Sequence, residues 1–325
     1  KTMDRAYLAL SEGRKNDAAG EFRKVVRYGQ RKDDWIYRGA NGIARAAFEL
    51  ALLTDEVDVR AALAEGSIDA ARKDATKDGA GLAALERYLS LRFWQLQGWV
   101  ASGDNSRVVG VFTEDSSIVD AYETAWGEAD RPADLAPYRR ASLYRLIAVG
   151  HFQAGQSEDA RNYAGKAAAI LSALDVDPGI AQELAQVKLI SAAPQTGRGK
   201  RSGSAQQRTA DGQEALALLT DAANEPGAGS AAKRRAEQAG AWVQSIEALG
   251  GKGSKGQLAP IQSAGKELVA DLLDAPDAVN TIIAEREITA PAAAQPKTAD
   301  AQGGGQQRPR GQQGKSKKKR KGGRI

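Results

Sequence analysis

The spacing of apolar residues restricts this chain to helical architectures. Between its polar, glycine-rich stretches, apolar residues recur at i, i+3, i+4 and i+7 and do not alternate, which is the period of an amphipathic helix. One long helix is predicted from the apolar residues Leu85, Tyr88, Leu89, Leu91, Phe93, Leu96 and Val100. Another is predicted from Tyr144, Ile147, Ala148 and Phe152. Val108–Phe112 is the only plausible strand, and its neighbours favour helix. The pattern therefore predicts an all-α fold of about a dozen helices and no substantial sheet.

Start and stop signals mark the ends of individual helices. Ser157 is expected to open a helix that ends near Leu174, and Pro178 is expected to open the next one. Glycine accepts the left-handed conformation that ends many helices. Three glycines are therefore expected to terminate the helices before them: Gly13, Gly103 and Gly155.

Those three glycines share one spacing of small and apolar residues. In each case an apolar or small residue stands seven positions before the glycine, and an Ala or Val stands five positions after it. Another apolar residue stands four positions after that Ala or Val. The three sets are Ala6–Gly13–Ala18–Phe22, Leu96–Gly103–Val108–Phe112 and Ala148–Gly155–Ala160–Ala164. The spacing is that of a helical hairpin, because a small residue after the turn lets the second helix approach the first closely.

This spacing resembles the tetratricopeptide repeat (TPR). The segment LIAVGHFQAGQSEDARNYAGKAAAIL resembles it best, since Ala148, Gly155, Ala160 and Ala167 match the small positions of that repeat. The resemblance implies helix-turn-helix units stacked as an α-solenoid. The glycines are 90 and 52 residues apart, which are not multiples of the 34-residue period, and the repeat-ending proline is absent. An irregular helical bundle is the alternative.

The net charge of +5 is unevenly distributed along the chain. Of the 46 Lys and Arg residues, nine lie within residues 301–325 and four within residues 195–210, and neither segment contains an acid. The remainder has 33 basic against 41 acidic residues, a net charge of −8. The basic segments are rich in Gly, Gln, Pro and Ser, a composition that cannot bury enough apolar surface to fold. They are therefore predicted to be flexible.

Composition also divides the chain into parts. Of the eighteen aromatic residues, seventeen lie at or before Tyr163, so the best core is expected there. The predicted parts are a TPR-like helical-repeat domain (1–193), a basic flexible linker (194–210), an Ala-rich helical segment (211–288) and a disordered basic tail (289–325). Residues 250–256 are expected to form a further short linker.

The residue inventory excludes several kinds of catalytic site. Without Cys, and with His151 as the sole histidine, thiolate nucleophiles and multi-histidine metal centres are ruled out. Gly251–Gly256 matches G-x-G-x-x-G, but it follows a helix, so a linker is favoured over a dinucleotide site. His151 is expected to be packed, not catalytic. The chain is therefore expected to be no enzyme and to need no cofactor or metal.

Four adjacent acid pairs have the residue types that serve as acid and base partners in glycoside chemistry. Each pair stands where a helix begins or a loop turns, and acids there complement the helix dipole and cap free N–H groups. The pairs are Asp33-Asp34, Asp55-Glu56, Glu114-Asp115 and Glu158-Asp159. Helix capping is the favoured interpretation.

Arg38, Asn41 and Arg45 are the predicted partner-binding residues. They stand at i, i+3 and i+7, hence on one helical face. Resemblance to peptide-binding TPRs implies that such residues hold a partner's terminal carboxylate, a task that suits forked guanidinium donors. Arg139, Arg140 and Arg145 would extend the same groove, and a solvated polar face is the alternative.

The C-terminal tail is the predicted polyanion-binding element. Its nine basic residues are Arg308, Arg310, Lys315, Lys317, Lys318, Lys319, Arg320, Lys321 and Arg324. Such a run attracts nucleic acid or anionic lipid headgroups. It also resembles a nuclear-import signal, and a solubilising terminus is the simplest alternative. No aromatic residue is present to stack on bases, so binding should be sequence-independent and sensitive to salt.

These observations favour a non-enzymatic scaffold that binds a protein or peptide partner, with the tail tethered to an anionic surface. The alternative is an RNA-, DNA- or ribosome-associated protein in which the tail is the primary binding element. No stretch is long and apolar enough to be a transmembrane segment. The chain opens at Lys1, which fits both a removed signal peptide and a trimmed chain, and we expect an exported protein over a cytoplasmic one. The Ala- and Gly-rich body suggests a bacterial source.

Overall fold

The computed structural model describes residues 2–31, 40–111, 115–129, 135–174, 178–194, 205–249 and 254–274. Within those ranges the protein is all-α, with fourteen α-helices, a terminal 3-10 helix and no strand. The first seven helices are α1 Thr2–Ser11, α2 Lys15–Arg31, α3 Ala40–Leu52, α4 Val57–Glu65, α5 Ile68–Ala75, α6 Leu82–Ala101 and α7 Asn105–Val111. The others are α8 Ser116–Glu128, α9 Leu135–Gln153, α10 Ser157–Leu171, α11 Pro178–Ala192, α12 Ala205–Asn224, α13 Ser230–Leu249 and α14 Lys255–Asp271, followed by the 3-10 helix Leu272–Asp274.

The three glycines predicted to end helices all adopt the left-handed conformation. The φ angles of Gly13, Gly103 and Gly155 are 73°, 77° and 80°. Each turn carries the same pair of backbone hydrogen bonds, the Schellman arrangement. In the third turn, the N–H of Gln156 donates to the carbonyl of His151 at 2.8 Å, and the N–H of Gly155 donates to that of Phe152 at 3.0 Å. The prediction of helix ends at these glycines is confirmed.

The small residues around these turns are buried between paired helices. Helix α1 packs against α2, α9 packs against α10, and α7 packs against both α6 and α9. The buried small and apolar positions of the shared spacing are Ala6, Ala18, Phe22, Leu96, Val108, Ala148, Ala160 and Ala164, each with 0% exposure. Phe112 lies outside the described residues. Alanine lets two helix backbones approach closely. The positions of the shared spacing are therefore buried where helices pack together.

Two hydrophobic clusters organise the described residues, all of which belong to one compact unit spanning residues 1–284. A small cluster joins α1, α2 and α3 around Phe22. The large cluster extends from Ala44 in α3 to Leu272 and includes Trp94 and Trp242. Helix α6 packs on α9 and α9 on α11, with α12, α13 and α14 following in order.

The C-terminal helices join this core instead of standing apart. Helix α14 returns to pack on α9 and α11. Gln153 of α9 and Lys266 of α14 each donate to the other's backbone carbonyl, at 2.8 and 2.6 Å. Gln186 of α11 donates to the carbonyl of Val269 at 2.6 Å. The predicted helical-repeat domain and Ala-rich segment therefore share one core across their described residues.

Several boundaries differ from those expected. Helix α12 begins at Ala205, so the last six residues of the predicted 194–210 linker are helical. Helix α14 begins at Lys255 with a capping box between Ser254 and Gln257, so the predicted 250–256 linker ends earlier. The ambiguous segment around Val108 is helical, as its neighbours indicated. Short linkers adjoining helices are hard to delimit because cap residues are polar and resemble loops.

Candidate partner-binding surfaces

Of the three predicted partner-binding residues, Arg45 is the one whose side chain the structure describes. Arg38 and the side chain of Asn41 lie outside the described residues. Arg45 is exposed on α3, and its guanidinium lies over the ring of Tyr7 in α1, 4.6 Å from the centroid. Its Nε donates to the Tyr7 hydroxyl. Arg45 therefore contacts the neighbouring helix as well as solvent.

Tyr7 connects Arg45 to a partly buried carboxylate. The hydroxyl of Tyr7 donates to Oε1 of Glu49 at 2.5 Å. Burial raises the pKa of Glu49, although the hydrogen bond from Tyr7 and the charges of Arg45 and Arg87 oppose that rise. Burial, and then the Glu49 charge, also raises the pKa of Tyr7. The cluster thus joins α1 to α3 around a desolvated acid.

The predicted extension of the groove through α9 is wrong. Arg139 and Arg145 are buried, with 2% and 4% exposure, so they form no open groove. Arg145 pairs with Glu183 of α11 at 2.9 Å and donates to Gln186 Oε1 at 2.7 Å. Arg140 is partly exposed and pairs at 2.6 Å with both Asp120 and Glu123 of α8. These arginines hold helices together, a role that helical spacing alone does not reveal.

The groove between α13 and α14 has an apolar floor and a charged rim. Its volume is about 640 Å³. Its lining residues are Arg234, Gln238, Ala241, Trp242, Ser245, Pro260, Ile261, Ala264, Glu267, Leu268 and Asp271. Trp242 Nε1 donates to the carbonyl of Ile261 at 2.7 Å, and the indole lies directly against Gly265. Any Cβ on residue 265 would lie 2.9 Å from the indole, so glycine permits this close contact.

The rim of this groove carries one acid without an ionic partner. Asp271 is shared by Arg235 at 3.1 Å and Arg234 at 3.5 Å. Glu267 is exposed and forms no ion pair with any described residue. The groove therefore offers an apolar surface beside an available carboxylate. Sequence reasoning missed this groove, because residue spacing within one helix does not show how closely the next helix packs against it.

A second cleft lies where α10 begins, α11 ends and α12 begins. Its volume is about 490 Å³, and its lining is charged: Glu158, Asp159, Arg161, Asn162, Ser191, Gln207, Arg208 and Asp211. Burial, and then the charge of Arg208, lowers the pKa of Arg161 to about 10. Asp211 is bound by Lys188 of α11 at 3.2 Å. Both signs of charge are present in this cleft, so it favours neither anions nor cations.

His151 occupies a packed position, as expected from its neighbours. It is 5% exposed, its ring is stacked on Tyr163 with centroids 5.4 Å apart, and Nδ1 lies 2.6 Å from Gln156 Oε1. Ser157, which was expected to open a helix, is the first residue of α10, and Gln156 is the N-cap residue. These contacts give His151 a structural role in the α9–α10 hairpin.

The acid pairs within the described residues stand at helix starts, as predicted. Glu56 and Asp115 are the N-cap residues of α4 and α8, and Glu158 and Asp159 lie in the first turn of α10. Neither N-cap acid caps its helix by a side-chain hydrogen bond, so the predicted capping is wrong for these two residues. The buried carboxylate of Asp115 instead accepts from Arg92 of α6 at 2.8 Å. Asp33-Asp34 and Glu114 lie outside the described residues.

The predicted tail site, from Arg308 to Arg324, also lies outside the described residues. Within them, no helix has the length and apolar character needed to cross a membrane. The same residues contain no group of three or more His, Cys, Asp or Glu that could hold a metal ion. Searches among known families, curated proteins and solved structures find nothing that matches this chain.

Proposed function

We propose that this protein is a non-enzymatic scaffold that binds a protein or peptide partner through a TPR-like helical-repeat surface. The observation that carries the proposal is the threefold recurrence of one turn geometry, at Gly13, Gly103 and Gly155, with its small positions buried. Repetition of one hairpin generates extended surfaces, which repeat proteins use to bind other chains. The basic tail would tether this scaffold to an anionic surface.

The α13–α14 groove, which lies C-terminal to the three hairpins, is a further proposed docking place for the partner. Its floor of Trp242, Ile261 and Leu268 suits an aliphatic or aromatic anchor. The unpaired carboxylate of Glu267 suits a Lys or Arg one turn from that anchor. We therefore commit to a short amphipathic helix with a basic residue as the occupant, because its charge complements the rim.

A peptide-display selection against the full chain tests this docking place. Selected peptides should combine apolar residues at helical spacing with Lys or Arg. Ala264→Trp fills the groove and should weaken their binding at least tenfold, and Glu267→Lys should weaken the basic peptides similarly. The matched control is Ala83→Trp, an exposed alanine on α6, which should leave binding unchanged. Selected peptides that bind the Ala264→Trp variant as tightly as the wild type would refute the groove.

The second candidate is an RNA-, DNA- or ribosome-associated protein in which the tail is the primary binding element. The segregation of nine basic residues and no acid into residues 301–325 favours it. It predicts that removing residues 291–325 abolishes binding to poly(U). It also predicts that the logarithm of the binding constant falls linearly with the logarithm of the salt concentration, with a slope of about −0.7 for each phosphate that the tail neutralises. Poly(U) binding retained by residues 1–290 would contradict it. Under the scaffold proposal, the same truncation leaves peptide binding by the groove intact.

A further inference from the structure

Arg139 is a buried guanidinium with almost no partners. It lies near the start of α9 and is 2% exposed. Its Nη2 donates to the hydroxyl oxygen of Ser90 in α6 at 2.9 Å, and its Nη1 is buried without a hydrogen-bond partner. The guanidinium brings a positive charge into the interior of the protein. A buried charge needs a compensating partner.

The surrounding helices do not supply that partner. Glu183 is the sole acid among the described buried residues of α6, α9 and α11, and the buried Asp115 at the start of α8 is bound by Arg92. Both oxygens of Glu183 are engaged, Oε1 with Arg145 at 2.9 Å and Oε2 with the hydroxyl of Ser142 at 3.0 Å. Arg139 itself forms no ion pair with any described residue. Arg145 and Glu183 therefore neutralise each other, and the charge of Arg139 is left without a counter-charge among these residues.

Two donors at the α6–α9 contact have no acceptor among the described residues. Ser90 is completely buried, and its oxygen accepts from Arg139, so its own hydrogen is available. That O–H donates to no described residue. The free N–H of Arg139 Nη1 belongs to the same guanidinium, so both donors lie at the α6–α9 contact. Adjacent donors carrying net positive charge form a site for an anion.

We propose that a small monovalent anion of the chloride class binds at this α6–α9 contact, held by Arg139 Nη1 and the Ser90 hydroxyl. The single excess charge sets its valence. The near-complete burial of both residues favours a small ion over a phosphate or a peptide carboxylate with its attached chain. The ion neutralises the charge that packing traps between α6 and α9, and so stabilises the folded chain.

Chloride titration of the full-length protein tests this site. Thermal unfolding is followed while chloride replaces gluconate at constant ionic strength. A bound anion should raise the midpoint by about 3 °C once chloride reaches tenfold its dissociation constant. Line broadening of the ³⁵Cl resonance should report binding independently, and a bromide-soaked crystal should give an anomalous peak next to Arg139. Equal midpoints in chloride and gluconate, with no line broadening, would overturn the proposal.

Matched variants separate the site from general salt effects. Arg139→Met removes the charge and both donors while keeping a long apolar stem, so it should abolish the chloride response. Ser90→Ala should weaken chloride binding, raising its dissociation constant several-fold. Arg145→Met alters another buried arginine of α9 and should keep the chloride response despite lower stability. A full chloride response in Arg139→Met would refute the site. If that variant does not fold, an unchanged dissociation constant in Ser90→Ala would do so.

Discussion

Alanine substitutions at Gly155 and Gly165 should change stability in opposite directions. Gly155 has a φ of 80°, whereas Gly165 lies inside α10. An added Cβ meets no atom within 4 Å at either position, so crowding contributes to neither change. The two variants therefore isolate the cost of the left-handed backbone.

The magnitude follows from the backbone alone. A left-handed L-residue costs roughly 1–2 kcal/mol, and the reduced entropy of the unfolded chain returns about 0.4–1 kcal/mol. Gly155→Ala should therefore lower the free energy of unfolding by about 1 kcal/mol, while Gly165→Ala should raise it by about 0.5–1 kcal/mol.

Urea unfolding followed by helical circular dichroism measures both free energies. Gly13→Ala and Gly103→Ala should lower the free energy of unfolding as much as Gly155→Ala does, because all three turns have the same pattern of backbone hydrogen bonds. Gly155→Asn should lose less, because asparagine tolerates this conformation. Stabilisation of the protein by Gly155→Ala, equal to that by Gly165→Ala, would refute the left-handed turn.

Two further predictions concern buried contacts of α3 and α9. Burial raises the pKa of Glu49 in the folded protein above its value in the unfolded chain. The contribution of Glu49 to stability is therefore full below the pKa of the unfolded chain, and it is lost as the pH rises through the pKa of the folded protein. Glu49→Gln should therefore gain stability relative to wild type from pH 4 to 7.5 in urea titrations, and a difference independent of pH would contradict this. At Gly150, an added Cβ would lie 2.5 Å from Val108 Cγ1, so Gly150→Ala should destabilise by about 1–3 kcal/mol. Val108→Ala should be less costly in the Gly150→Ala background than alone, and additive losses in a double-mutant cycle would exclude the clash.

Local sequence was enough to predict the helices and their turns. Apolar periodicity along α6 and α9 depends on neighbours three and four residues apart, which are fixed within one helix. The turns at Gly13, Gly103 and Gly155 are closed by bonds between residues at most five apart. The all-α fold was therefore predictable without knowing how the helices meet.

Candidate binding residues were less predictable, because exposure depends on distant parts of the chain. The sequence analysis predicts a continuation of the partner-binding groove at three arginines of α9: Arg139, Arg140 and Arg145. Arg145 is buried because Glu183 and Gln186, on a helix about forty residues later, reach it. Ser90, the partner of Arg139, precedes it by 49 residues. Helical spacing places the residues of one helix on a face but does not tell which other helix covers that face.

The sequence by itself determined that this chain is helical, where its glycine turns fall, and that its excess positive charge lies in polar, glycine-rich segments. Tertiary structure alone decided that α14 returns to α9 and α11, that α13 and α14 leave a groove beside Trp242, and that Arg139 is enclosed without a counter-charge. The physical reason is the sequence separation of the residues in contact. Helices and turns form from contacts a few residues apart, whereas grooves and trapped charges arise where segments distant in sequence pack together.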